Sequence, residues 1–317
     1  MMDSRTSRDL LLLFVACAGS AFSGAARAGD TMLQSFAQAR YQGDTPRMDD
    51  HLIAFPIFGD GVAALALSDL SGSSFDFARG QGGAYAYVDG STVVSESRVG
   101  GFDPNHGPPN DILATGQGCS TLQWCIASDS LPAGTPIVVQ LDIRFRGVLA
   151  ASNFYGDVDP GVNYGQAEAI VEVDGMTVYA GYARVDALTS TNSGPPVLTR
   201  TSDWLAGDFT SVMVPTGGLG DAPGFELDDS ASIMVNMTVG QVFEVYMCSF
   251  TGASIPGALE AFAIADFLSD PWGGSYTLEG LLETGGPADV QFKLVPVPST
   301  GLLVSFALIG FTARRRR

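Results

Sequence analysis

The sequence predicts an all-β fold, an antiparallel β-sandwich of jelly-roll-like character, on three observations. From Ile137 to Arg146 apolar and polar residues alternate. Ile137, Val139, Leu141, Ile143 and Phe145 share one side while Gln140, Asp142, Arg144 and Arg146 share the other, the period-2 pattern of a strand with one buried face. Two Asp-Gly pairs, Asp89-Gly90 and Asp174-Gly175, separate β-prone runs, and Asp60-Gly61 is a third, weaker instance. A type I′ turn requires positive φ at both central residues, which this dipeptide tolerates, so tight hairpins are expected there. Finally, 39 glycines and 17 prolines punctuate the β-prone runs roughly every ten residues, the turn spacing of a sandwich.

Taken in order, the chain opens with a segment that has the pattern of a cleavable secretion signal over residues 1–28. Arg5 and Arg8 form a basic n-region, Leu10 to Ala18 an apolar h-region, and Ala26-Arg27-Ala28 a small-x-small cleavage site, which puts the mature start at Gly29. Cys17 ends an apolar run and also admits a lipid-anchored reading, although Phe14 stands where a small aliphatic residue is usual. Residues 29–294 are then long enough for one β domain with a sizeable core. Asp30 can cap a short helix over Met32, Leu33, Phe36 and Ala37, and the same residues also alternate as a strand. The stretch 259–268 is open in the same way, with Leu259, Phe262, Ala263 and Phe267 at helical spacing. The Gly/Pro-rich stretches 100–110 and 217–224 are expected to be loops at the ends of the sandwich.

Three cysteines fall in the exported part. Cys119 and Cys125 lie close together in a Gly-rich stretch, GQGCSTLQWC, and are expected to pair as a local staple in an oxidising compartment. Cys248 then remains as a buried thiol in the strand pattern VFEVYMCSF.

Charge narrows the functional classes. Seven of the 16 basic residues and two of the 34 acidic ones lie in the terminal segments, which leaves nine against 32 and a charge of about −23 on residues 29–294. Such a balance opposes nucleic acid and anionic lipid surfaces and favours solubility and loose attraction of divalent cations. Nucleic acid is excluded as a partner on that ground.

Signals for chemistry are sparse. His51 and His106 are the only histidines. His106 lies near Asp103 and Asp111, but no Gly-x-Ser-x-Gly nucleophile turn accompanies it. No catalytic residue is assigned, and a non-enzymatic protein is expected. For a metal, the best constellation is Gly156-Asp157-Val158-Asp159-Pro160-Gly161 with Asn163, where the hard oxygen ligands of Asp157 and Asp159 crowd a turn as calcium prefers. It lacks the full EF-hand pattern, and an acidic turn between strands is the plainer account. No other cofactor is indicated. Trp124, Trp204 and Trp272 can stack on sugars or fill the core.

The last 23 residues, VPVPSTGLLVSFALIGFTARRRR, have three parts. Val295, Pro296, Val297, Pro298, Ser299 and Thr300 form a stiff spacer, because prolines lack the amide donor and bias their neighbours to extended backbone. The 13 residues from Gly301 to Ala313 would be about 20 Å long as a helix, short of the ~30 Å hydrocarbon core, and the uncharged stretch reaches 19 when 295–300 are added. Arg314, Arg315, Arg316 and Arg317 stay on the cytoplasmic side and leave everything before them across the membrane.

This order of motif, short helix and arginine cluster resembles the PEP-CTERM sorting signal of Gram-negative bacteria. Val297 stands where the usual motif has Glu. The resemblance implies an exported protein that sits transiently in the inner membrane, is processed by an exosortase-like enzyme, and is released to the cell surface or the extracellular polysaccharide matrix, with exopolysaccharide as a possible partner. An ordinary C-terminal anchor is the alternative. A second resemblance rests on Leu131-Pro132-Ala133-Gly134-Thr135-Pro136, on Val239-Gly240-Gln241-Val242-Phe243 and on Ala263-Ile264-Ala265-Asp266-Phe267-Leu268. These look like the β-sandwich ectodomains that precede such tails, which implies fold and location but no chemistry.

Overall fold

The computed structural model describes residues 32–40, 47–54, 62–71, 77–86, 89–101, 111–153, 163–187, 197–200, 208–216, 221–256, 261–268, 278–284 and 289–295. Every regular element among them is a strand: β1 (Met32–Arg40), β2 (Arg47–Ala54), β3 (Val62–Ser71), β4 (Phe77–Ala86), β5 (Gly90–Gly101), β6 (Asp111–Ala127), β7 (Pro136–Asn153), β8 (Asn163–Val173), β9 (Met176–Ala187), β10 (Val197–Arg200), β11 (Asp208–Pro215), β12 (Asp221–Thr238), β13 (Val242–Pro256), β14 (Ala261–Phe267), β15 (Leu278–Thr284) and β16 (Gln291–Leu294).

They form two eight-stranded antiparallel sheets. The first runs β10-β9-β8-β13-β6-β1-β2 with β16 also on β6, and the second runs β11-β12-β7-β14-β5-β4-β3 with β15 on β5 and β7. The sheets face one another, with β1, β6 and β13 of the first against β4 and β5 of the second. One apolar core draws on both, from Trp124, Phe243 and Tyr179 to Phe145, Phe267 and Leu141.

The periodicity of Ile137–Arg146 translates directly into this core. Ile137, Val139, Leu141, Ile143 and Phe145 of β7 are all buried, and the Phe145 ring stacks on Phe267 at a centroid distance of 4.4 Å. Over residues 140–146 the opposite face of β7 is polar, with Arg144 forked onto Asp228 of β12 at 3.0 and 3.1 Å. Both open stretches resolve as strands. In β1, Leu33, Ser35, Ala37 and Ala39 are buried in alternation. All seven residues of β14 are buried, because β5 and β7 flank it and apolar groups cover both faces. Helical spacing in 259–268 was the trace of a strand buried on both sides.

The two hairpins differ. At β8–β9 Asp174 (φ 51°) and Gly175 (φ 75°) take the positive angles that the type I′ chemistry requires. The tip is held further, as the Glu244 amide donates to Asp174 Oδ1 at 2.8 Å and the Asp174 amide to the Glu244 carbonyl at 2.9 Å. At β4–β5 the strands do pair, with Ala86 opposite Ser91, but three residues, 87–89, connect them and neither Asp89 nor Gly90 has positive φ. Gly90 serves close approach instead: a Cβ there would strike the Gly280 carbonyl of β15. Asp60-Gly61 lies outside the described residues. Of the expected end loops, 102–110 and 217–220 also lie outside, while 221–224 already belong to β12.

Between β4 and β6 the sheets come unusually close. Cβ atoms on Gly80 and Gly82 would run into the carbonyls of Thr115 and Gln117, and Cβ atoms on Gly116 and Gly118 into those of Gln81 and Gly83. The neighbouring inward groups are small hydroxyls. Ser95 and Ser249 share a hydrogen bond of 2.7 Å, Ser97 and Thr251 one of 2.9 Å, and Ser120 donates to Ser91 at 3.0 Å. With no room for apolar side chains, these hydroxyls find their partners on the facing sheet.

The cysteine expectation is corrected. Cys119 of β6 is bonded to Cys248 of β13, with Cα atoms 4.1 Å apart, and Cys125 is free. GQGCSTLQWC is part of a strand rather than a loop, so Cys119 and Cys125 are six steps apart along extended chain, about 20 Å, far beyond disulfide reach. The register sets Cys248 directly opposite Cys119.

Candidate functional site

Alternation sends every second residue of the first sheet away from the core, and the register assembles these into rows across the strands. One row reads Phe36 (β1), Gln117 (β6), Phe250 (β13), Glu168 (β8) and Tyr182 (β9), each opposite the next. All five are half-buried. The rows on either side continue the theme: Gln38, Thr115, Gly252, Gln166 and Arg184 on one side, and Gln34, Cys119, Cys248, Ile170 and Ala180 on the other. Beyond the disulfide, Thr121, Tyr246 and Glu172 form a further row.

The face therefore carries rings interleaved with planar polar groups. Tyr182 donates its hydroxyl to Gln166 Oε1 at 3.4 Å, and Arg184 lies over the Tyr164 ring at 3.9 Å while its Nε reaches Asp186 at 2.7 Å. Gln117 Nε2 points at both disulfide sulfurs, 3.2 Å from Cys119 Sγ and 3.3 Å from Cys248 Sγ. Glu168 makes no hydrogen bond or ion pair among the described residues, and burial pushes its carboxyl above the usual carboxylate range. Burial, then the charges of Glu172 and Glu168, push the Tyr246 hydroxyl up to about 12. Burial also raises Tyr182 and Tyr164, against the opposing pull of Arg184. At neutral pH the tyrosines are thus hydroxyl donors and acceptors, and the face has amides, a guanidinium and carboxylates between apolar rings.

Of the sites expected from sequence, Cys119 lies on this face, and most of the others lie outside the described residues. Val295 is described, and its amide donates to the Gln123 carbonyl at 2.9 Å. The rest of the tail, including Pro296, Val297, Pro298, Ser299, Thr300 and Arg314 to Arg317, lies outside the described residues, as do Ala26, Ala28 and Gly29, Asp157 and Asp159, and His106. Trp124 is buried and stacks on Phe243 at 6.1 Å, a core residue, whereas Trp204 and Trp272 lie outside. Among the described residues no group of three or more His, Cys, Asp or Glu is placed to hold a metal, and no helix is long and apolar enough to cross a membrane.

The ring and amide face was missed by sequence reasoning. Its local trace is the outward series Tyr164, Gln166, Glu168, Ile170, Glu172, but the rows exist only through the order β1-β6-β13-β8-β9, which no local pattern encodes. No family model and no curated protein matches the chain.

Proposed function

We propose that the chain is a non-enzymatic exported protein whose β-sandwich ectodomain is carried by its C-terminal tail to the cell surface or the extracellular polysaccharide matrix. The observation that carries this reading is the order VPVPST, apolar run and four terminal arginines, paired with an export signal at the other end. An exosortase-like enzyme would process the tail while it sits in the inner membrane, and exopolysaccharide would surround the released domain.

The register of β6 supports it. β1 and β16 lie in line along one edge of β6, with Met32 opposite Thr121 and Leu294 opposite Trp124. The start of β1 and the end of β16 thus flank one point, three residues of β6 or about 10 Å apart. The two points at which a preceding signal and a following tail would attach to the domain are therefore close together on one edge of the first sheet.

Mass spectrometry of the protein from a host with the sorting machinery tests this: the expected product starts at Gly29 and has lost Arg317. A product that retains Arg317 refutes processing. Val297 in place of Glu favours a second reading, a permanently anchored periplasmic domain. Protease shaving of intact cells separates the two, since a periplasmic domain survives it.

A further inference from the structure

We propose that the outward face of the first sheet binds a neutral polysaccharide, seated along the row Phe36, Gln117, Phe250, Glu168 and Tyr182. The choice of a polysaccharide rests on the proposed delivery to a polysaccharide matrix, and three features of the face select it. First, the rings of Phe36, Phe250 and Tyr182 recur at every second strand of the row. With strands about 4.8 Å apart that places a ring about every 10 Å, roughly two pyranose units, across the strand direction. A pyranose offers a flat C–H face to such a ring and hydroxyls at its edges.

Second, the groups between the rings suit those edges. Gln117 and Gln166 supply amides, Arg184 a guanidinium and Glu168 a carboxylate. A sugar hydroxyl gives Glu168 a donor that none of the described residues supplies. Third, the charge is wrong for anionic polymers. Among the described residues of this face Glu168, Glu172, Glu244 and Asp186 outnumber Arg184 and Lys293, and the whole chain carries −18, so acidic polysaccharides are repelled while neutral ones are not.

The test uses the full chain in detergent, run by native electrophoresis through gels containing hydroxyethyl cellulose, galactomannan, dextran or alginate. Retardation is expected in at least one of the three neutral polymers and none in alginate. Phe250→Ala and Tyr182→Ala should each weaken binding tenfold or more, while Tyr182→Phe and Phe250→Tyr, which keep a ring, should retain most of it. Thermal melts of each variant show whether the fold is intact, and the ring-retaining pair decides the matter if an alanine variant unfolds. Free migration in all three neutral gels overturns the proposal, as does retardation by alginate alone or equal binding by folded alanine variants. Tail processing is read separately as mass, so a failure of either reading is visible without the other.

Discussion

Replacing each cysteine in turn distinguishes the observed disulfide from the local staple that spacing suggests. The Cys119–Cys248 bridge closes a loop of 129 residues. In the chain-entropy account such a loop restricts the unfolded state by roughly 5 kcal/mol at room temperature, whereas a loop of about six residues would contribute only about 2 kcal/mol. Cys248→Ser is therefore expected to lower stability by about 5 kcal/mol in urea unfolding, with Cys119→Ser matching it, and Cys125→Ser is expected to be nearly neutral. The sulfurs are buried, at 6 and 9% residue exposure, while Cys125 is half-buried, so alkylation of the folded exported protein should mark Cys125 alone. Tryptic mapping without reduction should recover one linked peptide joining the β6 and β13 cysteines. A peptide linked through Cys125, or a Cys248→Ser variant as stable as the parent, refutes the argument from strand register.

Further outcomes follow from the interior and the surface. Tyr179 donates to Asp229 Oδ2 at 2.8 Å with both groups buried, so Tyr179→Phe should cost about 1–3 kcal/mol in denaturant unfolding, less when combined with Asp229→Asn. Gly82→Ala and Gly118→Ala place a Cβ against the carbonyls of Gln117 and Gly83 on the facing sheet and should each cost about 3 kcal/mol or more, read as a fall in Tm. Asp289 accepts from Ser128 Oγ at 2.7 Å and the Ser130 amide at 2.9 Å, which hold its carboxyl down at about 2. Its contribution is complete above the unfolded value of 3.8 and is lost as pH falls toward about 2, so Asp289→Asn should flatten that part of an acid-unfolding curve. Glu168 has the opposite sign: its folded carboxyl is raised, stability falls as pH rises from the unfolded value of 4.5 through the folded one, and Glu168→Gln should remove that fall in melts taken across the range.

How far the fold could be read from the chain depended on whether a residue's role was set by its neighbours in sequence or by strands far away. Ile137 to Phe145 announce a strand because one face meets apolar groups and the other water, and that contrast survives in any pairing. Asp174-Gly175 announces a turn because positive φ is a local demand. β14 lacks the contrast: β5 and β7 flank Ala261–Phe267 and both faces are buried, so its period disappears and helix and strand become equivalent on paper. The cysteines show the same limit. Spacing favoured the neighbour Cys125, yet an extended strand carries neighbours apart at about 3.3 Å per residue, and the partner is whichever residue the register brings opposite. Gly80, Gly82, Gly116 and Gly118 look like loop residues in sequence but lie in strands, where they let two backbones meet; the serines beside them look like surface and are buried. The outward row from Phe36 to Tyr182 is the extreme case, because its five residues come from five strands and are drawn from between positions 36 and 250 of the chain. A ligand laid across those strands therefore reports on sheet order itself: if Phe250 and Tyr182 act together in binding, β8 must lie between β13 and β9, and a double-mutant cycle with Glu168 measures that adjacency in solution.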